Sequence, residues 1–189
     1  LTFSEASGTC PIRLYRGSVS TYTGTVYYRA GTSGRWTSLS VSGGSTTFPV
    51  TDTTMQVAHN WNKSGNNYMT PSFWGATNIT SIAISQKSAL TGAIGNTFMA
   101  YYAYGCSSLT SLAVPDTSGL ESVGAYFMYS YASGCSSLTE LVLPAVGWFK
   151  DNNVNWSVPS GRLGALKGRV LDSDDLNSWK ALTAEGKTL

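Results

Sequence analysis

Tyrosine is the residue type in this chain best suited to contact chemistry, and it is concentrated in two places. Tyr101, Tyr102 and Tyr104 share one short segment, and Tyr126, Tyr129 and Tyr131 share another. A phenol joins a broad apolar face to a hydroxyl, so such rings suit protein interfaces and the faces of sugars. The competing role is packing between neighbouring limbs of the chain. Tyr102 and Tyr131, like Phe98 and Phe127, sit at matching places in two similar segments and are expected inside. Tyr101 aligns with Ser130 and Tyr104 with Ser133, so these rings are not demanded by the local fold. They and Tyr129 are expected to be exposed, which makes them candidates for contact with a partner, with packing as the competing reading. A second candidate is the polar loop in which Trp61 lies among Asn60, Asn62, Asn66 and Asn67. There an indole beside amides, Trp61 with Asn62, could hold a glycan, although the same residues are ordinary turn formers. The candidate partner-binding set is therefore Tyr101, Tyr104, Tyr129, Trp61 and Asn62.

Signals for catalysis are missing. The chain has one histidine, His59, with neither an acid nor a nucleophile near it in sequence. No GxSxG, HExxH, P-loop, GxGxxG or CxxC pattern occurs. Asp151-Asn152-Asn153 and Asp172-Ser173-Asp174-Asp175 lack the alternating oxygen spacing of a calcium loop. The expectation is a protein that is not an enzyme, with no cofactor and no metal. Three cysteines, Cys10, Cys106 and Cys135, argue by their odd number against a disulfide framework. Cys106 and Cys135 would lie within about 5 Å of each other in stacked chain segments, with side chains pointing the same way. That is poor bridge geometry, so both are expected as buried free thiols.

Charged residues make up 12% of the 189, and Ser and Thr far outnumber them, so the surface is solvated mainly by hydroxyls and amides. Such a surface suits extracellular, cell-surface or virion proteins. The net charge is +2, and the 12 Lys and Arg residues form no run. The footprint of a nucleic-acid binder is absent, so no nucleic-acid partner is expected. No apolar run approaches the length of a bilayer span, so membrane insertion is not expected either.

The elements that must position these residues follow from a repeat. GNTFMAYYAYGCSSLTSLAVP, from Gly95 to Pro115, returns as GAYFMYSYASGCSSLTELVLP, from Gly124 to Pro144, at an interval of 29 residues. A period in this range signals stacked supersecondary units. A weaker copy precedes them: Tyr68-Met69 matches Phe98-Met99, and Ile79, Ile82 and Ile84 match Leu109, Leu112 and Val114 at an interval of 30. Each copy ends in a short strand with Ile82/Ile84, Leu112/Val114 or Leu141/Leu143 inward, and three such strands would stack as a parallel sheet. Pro115 and Pro144 end two of them. Leu90/Ile94 and Leu120/Val123 begin a return limb, and Gly95 and Gly124 turn the chain into the aromatic segment.

Residues 1–67 read differently. Tyr15 to Val19, Thr25 to Arg29, Trp36 to Val41 and Met55 to Ala58 are strand-like runs separated by the turn signals GTSG and SGGS. They predict a small antiparallel β domain that leans on its neighbour. Residues 68–146 are the repeat zone of about three coils. Residues 147–189 read as a C-terminal cap with one helix, capped by Asp172 or Ser173 and carrying Leu176, Trp179 and Leu182 on one face. The fold class expected is mainly β: a small antiparallel β domain, then a short solenoid, then a helical cap.

The string GCSSLTSLAVP, repeated as GCSSLTELVLP, resembles the BspA-like class of leucine-rich repeats, over about residues 68–146. Those repeats occur in bacterial surface proteins and in some phage or mobile-element proteins. Family members commonly keep seven residues between the Gly and the Cys. Here Gly95 and Cys106, and Gly124 and Cys135, are eleven apart, and the longer limb is richer in Tyr. The resemblance implies a bent leucine-rich-repeat solenoid with an adhesive or scaffolding role, as in a surface protein or a receptor-binding phage tail fibre, and it implies no catalytic residues. Two functions are thus expected of such a chain. One is a recognition or adhesion module that presents Tyr, Ser and Asn to a cell-surface protein or glycan. The other is a structural unit that assembles a fibre or a homo-oligomer.

Overall fold

A computed structural model describes residues 1–15, 22–59, 63–64, 67–68, 70–85, 90–94, 98–113, 119–123, 131–138 and 140–141. These residues are mainly β, and no helix occurs among them. The strands are β1 (Thr2–Phe3), β2 (Thr9–Tyr15), β3 (Gly24–Ala30), β4 (Thr37–Val41), β5 (Thr46–Pro49), β6 (Met55–Ala58) and β7 (Lys63–Ser64). They continue with β8 (Asn67–Tyr68), β9 (Thr70–Ser72), β10 (Ile79–Ile82), β11 (Gly92–Ile94), β12 (Ser111–Leu112), β13 (Leu120–Val123) and β14 (Glu140–Leu141). The helical cap expected over 147–189 lies outside the described residues. So do Val19, Gly95, Val114, Pro115, Gly124, Leu143 and Pro144.

The first part of the chain builds small antiparallel sheets. In one, β3 is central, with β4 on one side and β6 on the other. Alternation makes this sheet two-faced. Val26 and Val41 are fully buried, whereas Thr25, Tyr27, Ser38 and Ser40 are exposed. In a second sheet, β2 pairs with β5 along Thr9 to Ile12 and with β9 along Arg13 to Tyr15. The sequence suggests a strand from Tyr15 to Val19; of these only Tyr15 is among the described residues, as the last residue of β2. Pro11 obscures it, because proline argues against a central strand. Only β5 is paired with β2 at that point, which leaves one side of the strand free of ladder bonds.

The repeated part builds parallel ladders. Strands β10, β12 and β14 align with Ser81 beside Ser111 beside Glu140, and Ile82 beside Leu112 beside Leu141. Strand β1 pairs antiparallel along the other side of β10, with Phe3 opposite Ile79, and so covers that sheet edge. The return limb pairs β11 with β13 in parallel, from Gly92 beside Leu120 to Ile94 beside Val123. A third line of contact joins the turns. Phe73 N–H donates to the Tyr102 carbonyl at 2.7 Å and Ala103 N–H to the Tyr131 carbonyl at 2.9 Å. Gly75 N–H donates to the Tyr104 carbonyl and Gly105 N–H to the Ser133 carbonyl, each at 2.7 Å.

Glycine is favoured where these turns stack. Gly75, Gly105 and Gly134 hold φ of 78°, 72° and 77°. A Cβ on Gly134 would stand 3.2 Å from the Gly105 Cα. The left-handed backbone disfavours a side chain at all three places, and at Gly134 the close approach to Gly105 adds a second cost.

One hydrophobic core serves both parts. It runs from Phe3, Cys10, Ile12 and Phe48 through Ile79 and Ile82 to Leu109, Leu112 and Leu138. With β1 on β10 and β9 on β2, strands from either side of residue 67 pair with one another.

Candidate functional site

The aromatic segment from Phe98 to Gly105 is a tight turn that sorts its side chains. Met99 and Tyr101 have φ of 52° and 55°. This left-handed backbone is costly for residues with a Cβ and persists where surroundings impose it. One imposed contact is visible: the Ser72 hydroxyl, fully buried on β9, donates to the Tyr101 carbonyl. Phe98, Met99, Ala100, Tyr102 and Ala103 consequently point inward and are buried, while Tyr101 and Tyr104 are turned outward and are half-buried.

Turned outward, the two rings meet a third. Trp74 stacks on Tyr101 at 5.1 Å between ring centres and 19° between planes, and it meets Tyr104 at 4.9 Å and 57°. Tyr101 and Tyr104 pack edge to face at 5.7 Å. Tyr15, buried at the end of β2, borders Tyr101 at 6.2 Å. Arg13 comes from the same strand, where it is the register partner of Ser72. Its guanidinium lies 4.5 Å over the Trp74 ring, which places a cation against the electron-rich face of an indole. The Arg13 Nε is buried and makes no hydrogen bond. The result is a ledge of three half-open rings with a guanidinium at its border.

Tyr102 and Tyr131 do the other thing tyrosines do. Their rings stack at 5.3 Å and 6° in the interior, and the Tyr131 hydroxyl donates to the Ala113 carbonyl. Burial pushes both phenols well above their ordinary range.

The thiols form a parallel pattern. Cys106 Sγ–H donates to the Phe73 carbonyl at 3.2 Å, and Cys135 Sγ–H to the Ala103 carbonyl at 3.1 Å. Both are buried and free, as is Cys10. Burial pushes Cys106 up to about 12 and Cys135 to about 11. Such thiols are protonated and poorly nucleophilic at neutral pH. Among the described residues, no group of three or more His, Cys, Asp and Glu side chains converges as metal ligands would. No helix there is long and apolar enough to cross a membrane.

The structure thus brings Tyr101 and Tyr104 together, as half-buried rather than freely exposed rings. Tyr129, Trp61 and Asn62 lie outside the described residues, as do Tyr126, Asn60, Asn66 and both Asp-rich segments named above. Sequence reasoning missed Trp74, Arg13 and Tyr15. For Trp74 a signal existed: Trp74-Gly75-Ala76 aligns with Tyr104-Gly105-Cys106 at the same interval that aligns Ile79 with Leu109. Arg13 and Tyr15 reach the ledge only through the β2–β9 pairing, which nothing local announces. A second aromatic surface also escaped notice. Tyr27 is 46% and Trp36 39% exposed on the β4–β3–β6 sheet side. Comparison with models of protein families, with curated proteins and with solved structures finds no match for this chain.

Proposed function

We propose that this chain is a non-catalytic recognition or adhesion module that binds a protein or glycan on the ledge of Trp74, Tyr101 and Tyr104, bordered by Arg13. The observation that carries the reading is that these rings are held half-open at a turn with left-handed non-glycine residues at 99 and 101. Strained backbone of this kind is stored where a side chain must be aimed. Rigid aromatic anchors with little entropy left to lose are the usual centres of binding energy. Arg13 adds charge-assisted donors for an acceptor-rich ligand.

The finer architecture belongs to the same proposal. Three parallel ladders, stacked glycine turns and thiols that donate to the carbonyls of the preceding copy support a short solenoid of the leucine-rich-repeat kind, closed by a helical cap in 147–189. A display site outside the cell, on a cell surface or on a virion fibre suits a hydroxyl-rich surface. The test is a screen of the full chain and of the double variant Tyr101→Ser, Tyr104→Ser against a glycan array and a panel of cell-surface proteins. Its sedimentation is measured alongside. A ligand lost by the folded double variant supports recognition. A variant that keeps every ligand but loses self-association moves the function to assembly of a fibre or homo-oligomer.

A further inference from the structure

The outer face of the β4–β3–β6 sheet carries a second constellation, separate from the ledge. Arg29 on β3 lies 4.4 Å over the Trp36 ring. Its Nε donates to Gln56 Oε1 at 2.8 Å, from the register partner on β6. The guanidinium is thus held between the Trp36 indole, just ahead of β4, and the Gln56 amide on β6. No carboxylate pairs with it among the described residues, so its terminal amino groups are the donors left for a ligand. Two residues earlier on the same strand, and so on the same face about 7 Å away, stands Tyr27. Its cross-strand neighbours are the small residues Ser38 and Ala58, which leave the ring open on both sides.

We propose that this face binds a carboxylate-bearing saccharide, with a sugar ring on Tyr27 and its carboxylate on the Arg29 fork. A planar guanidinium that is already oriented recognises a carboxylate by two parallel hydrogen bonds. An open phenol ring offers a flat apolar surface for the C–H face of a pyranose. An extended peptide fits less well. β3 is a central strand whose backbone groups are bonded to β4 and β6, so a peptide cannot add alongside the strand that carries Tyr27 and Arg29. On that strand only side chains are available: the Arg29 charge, resting on Trp36, and the open ring of Tyr27.

The experiment is calorimetric titration of the full chain at low salt with tetragalacturonate, a guluronate tetramer and sialyllactose. Maltotetraose serves as the neutral control and tetra-aspartate as the charged peptide control. At least one acidic saccharide is expected to bind ten-fold or more tightly than both controls. Tyr27→Ala, at an exposed position, should weaken that binding at least ten-fold with thermal unfolding unchanged. Arg29→Gln should do the same, and Arg29→Lys should restore only part, because a point charge replaces the fork. Tyr101→Ser with Tyr104→Ser should leave the affinity as it was. The proposal is overturned if no acidic saccharide binds, if maltotetraose or tetra-aspartate binds as well, or if Tyr27→Ala has no effect. It is overturned equally if the ledge variant abolishes the binding, which would move the saccharide to the other site.

Discussion

The inner and outer faces of the aromatic turn are made from the same few residues and obey different constraints. Between the second and third copies, most inward positions keep their identity: Tyr102 matches Tyr131, Cys106 matches Cys135, Leu109 matches Leu138, and Ala100, answered by Tyr129, is an exception. The outward positions change, with Tyr104 answered by Ser133. Inside, each group touches its counterpart, as in the Tyr102–Tyr131 stack, so a change in one copy must be met in the next. Outside, the ring of Tyr104 rests on Trp74 and on Tyr101, and its counterpart in the third copy, Ser133, has no ring to stack on it. Where stacking dictates identity, the residue reports on the fold. Where it does not, an aromatic ring needs another reason to be there. The first copy sharpens the point, since Ser72 and Phe73 stand where Tyr102 and Ala103 stand in the second. The ring has moved one residue along, and Phe73 still fills the interior, edge-on to Tyr102 at 5.5 Å.

The inner face should be the harder to alter. Leu112 is fully buried, and its strand lies between two parallel neighbours. Leu112→Ala removes burial and leaves a cavity, at an expected cost of about 2–5 kcal/mol in denaturant unfolding. A loss below about 1 kcal/mol would show that the interior tolerates change as the surface does, and the contrast would collapse.

The stacked glycines allow a finer cut. Gly8 and Gly134 have nearly the same φ, 76° and 77°, but a Cβ on Gly8 meets nothing within 4 Å. Gly8→Ala should therefore cost only the left-handed term, about 1 kcal/mol. Gly134→Ala adds the clash with Gly105 and should cost about 2 kcal/mol or more. Equal losses in thermal unfolding would mean that the turns are not held in contact.

The thiols predict a pH dependence whose sign is fixed. Burial raises Cys106 and Cys135 to about 12 and about 11 in the folded chain. An unfolded thiol ionises near about 8.5. Below that pH both states are protonated and stability is flat. Above it the unfolded state loses protons that the folded state keeps, so stability falls as pH rises toward 11–12. The slope approaches about 1.4 kcal/mol per pH unit for each thiol. Cys106→Ala, which copies Ala76 of the first repeat, should reduce that slope in urea melts between neutral and alkaline pH. An unchanged slope would remove Cys106 from the interior ladder.

Much of this contrast is legible in the amino-acid sequence. The 29-residue interval places Leu112 beside Leu141, and matching positions send Tyr102 and Tyr131 inward, because parallel stacking converts sequence period directly into spatial neighbours. What does not show there is everything that depends on pairing between distant, dissimilar segments. Pro11 and Pro49 disguise β2 and β5 as loops. The two residues of β1 carry no period, yet they cover the edge of β10, more than seventy positions later. Arg13 reaches Trp74 only because β2 and β9 align, so the ledge can be read as two tyrosines but not as a cluster with a cation.

The smallest expected effect is also the one that most directly separates folding from binding. Tyr104→Ser reproduces the residue that the third copy uses at this place, in a turn whose glycine geometry is nearly identical. The change removes the tilted contact with Trp74 and the edge-to-face contact with Tyr101, but leaves the Trp74–Tyr101 stack and the contact of Trp74 with Arg13 in place. The stability cost should stay under about 1 kcal/mol, well below the range for removing a buried ring. If the ledge is an anchor, ligand affinity should nevertheless fall by roughly ten-fold, the size of effect that a central aromatic contact carries. Calorimetric unfolding and ligand titration on the same sample distinguish the cases. A stability loss of several kcal/mol would make Tyr104 an inner residue in all but position. A stable variant with unchanged affinity would leave the outward rings without the reason that the inner ones have.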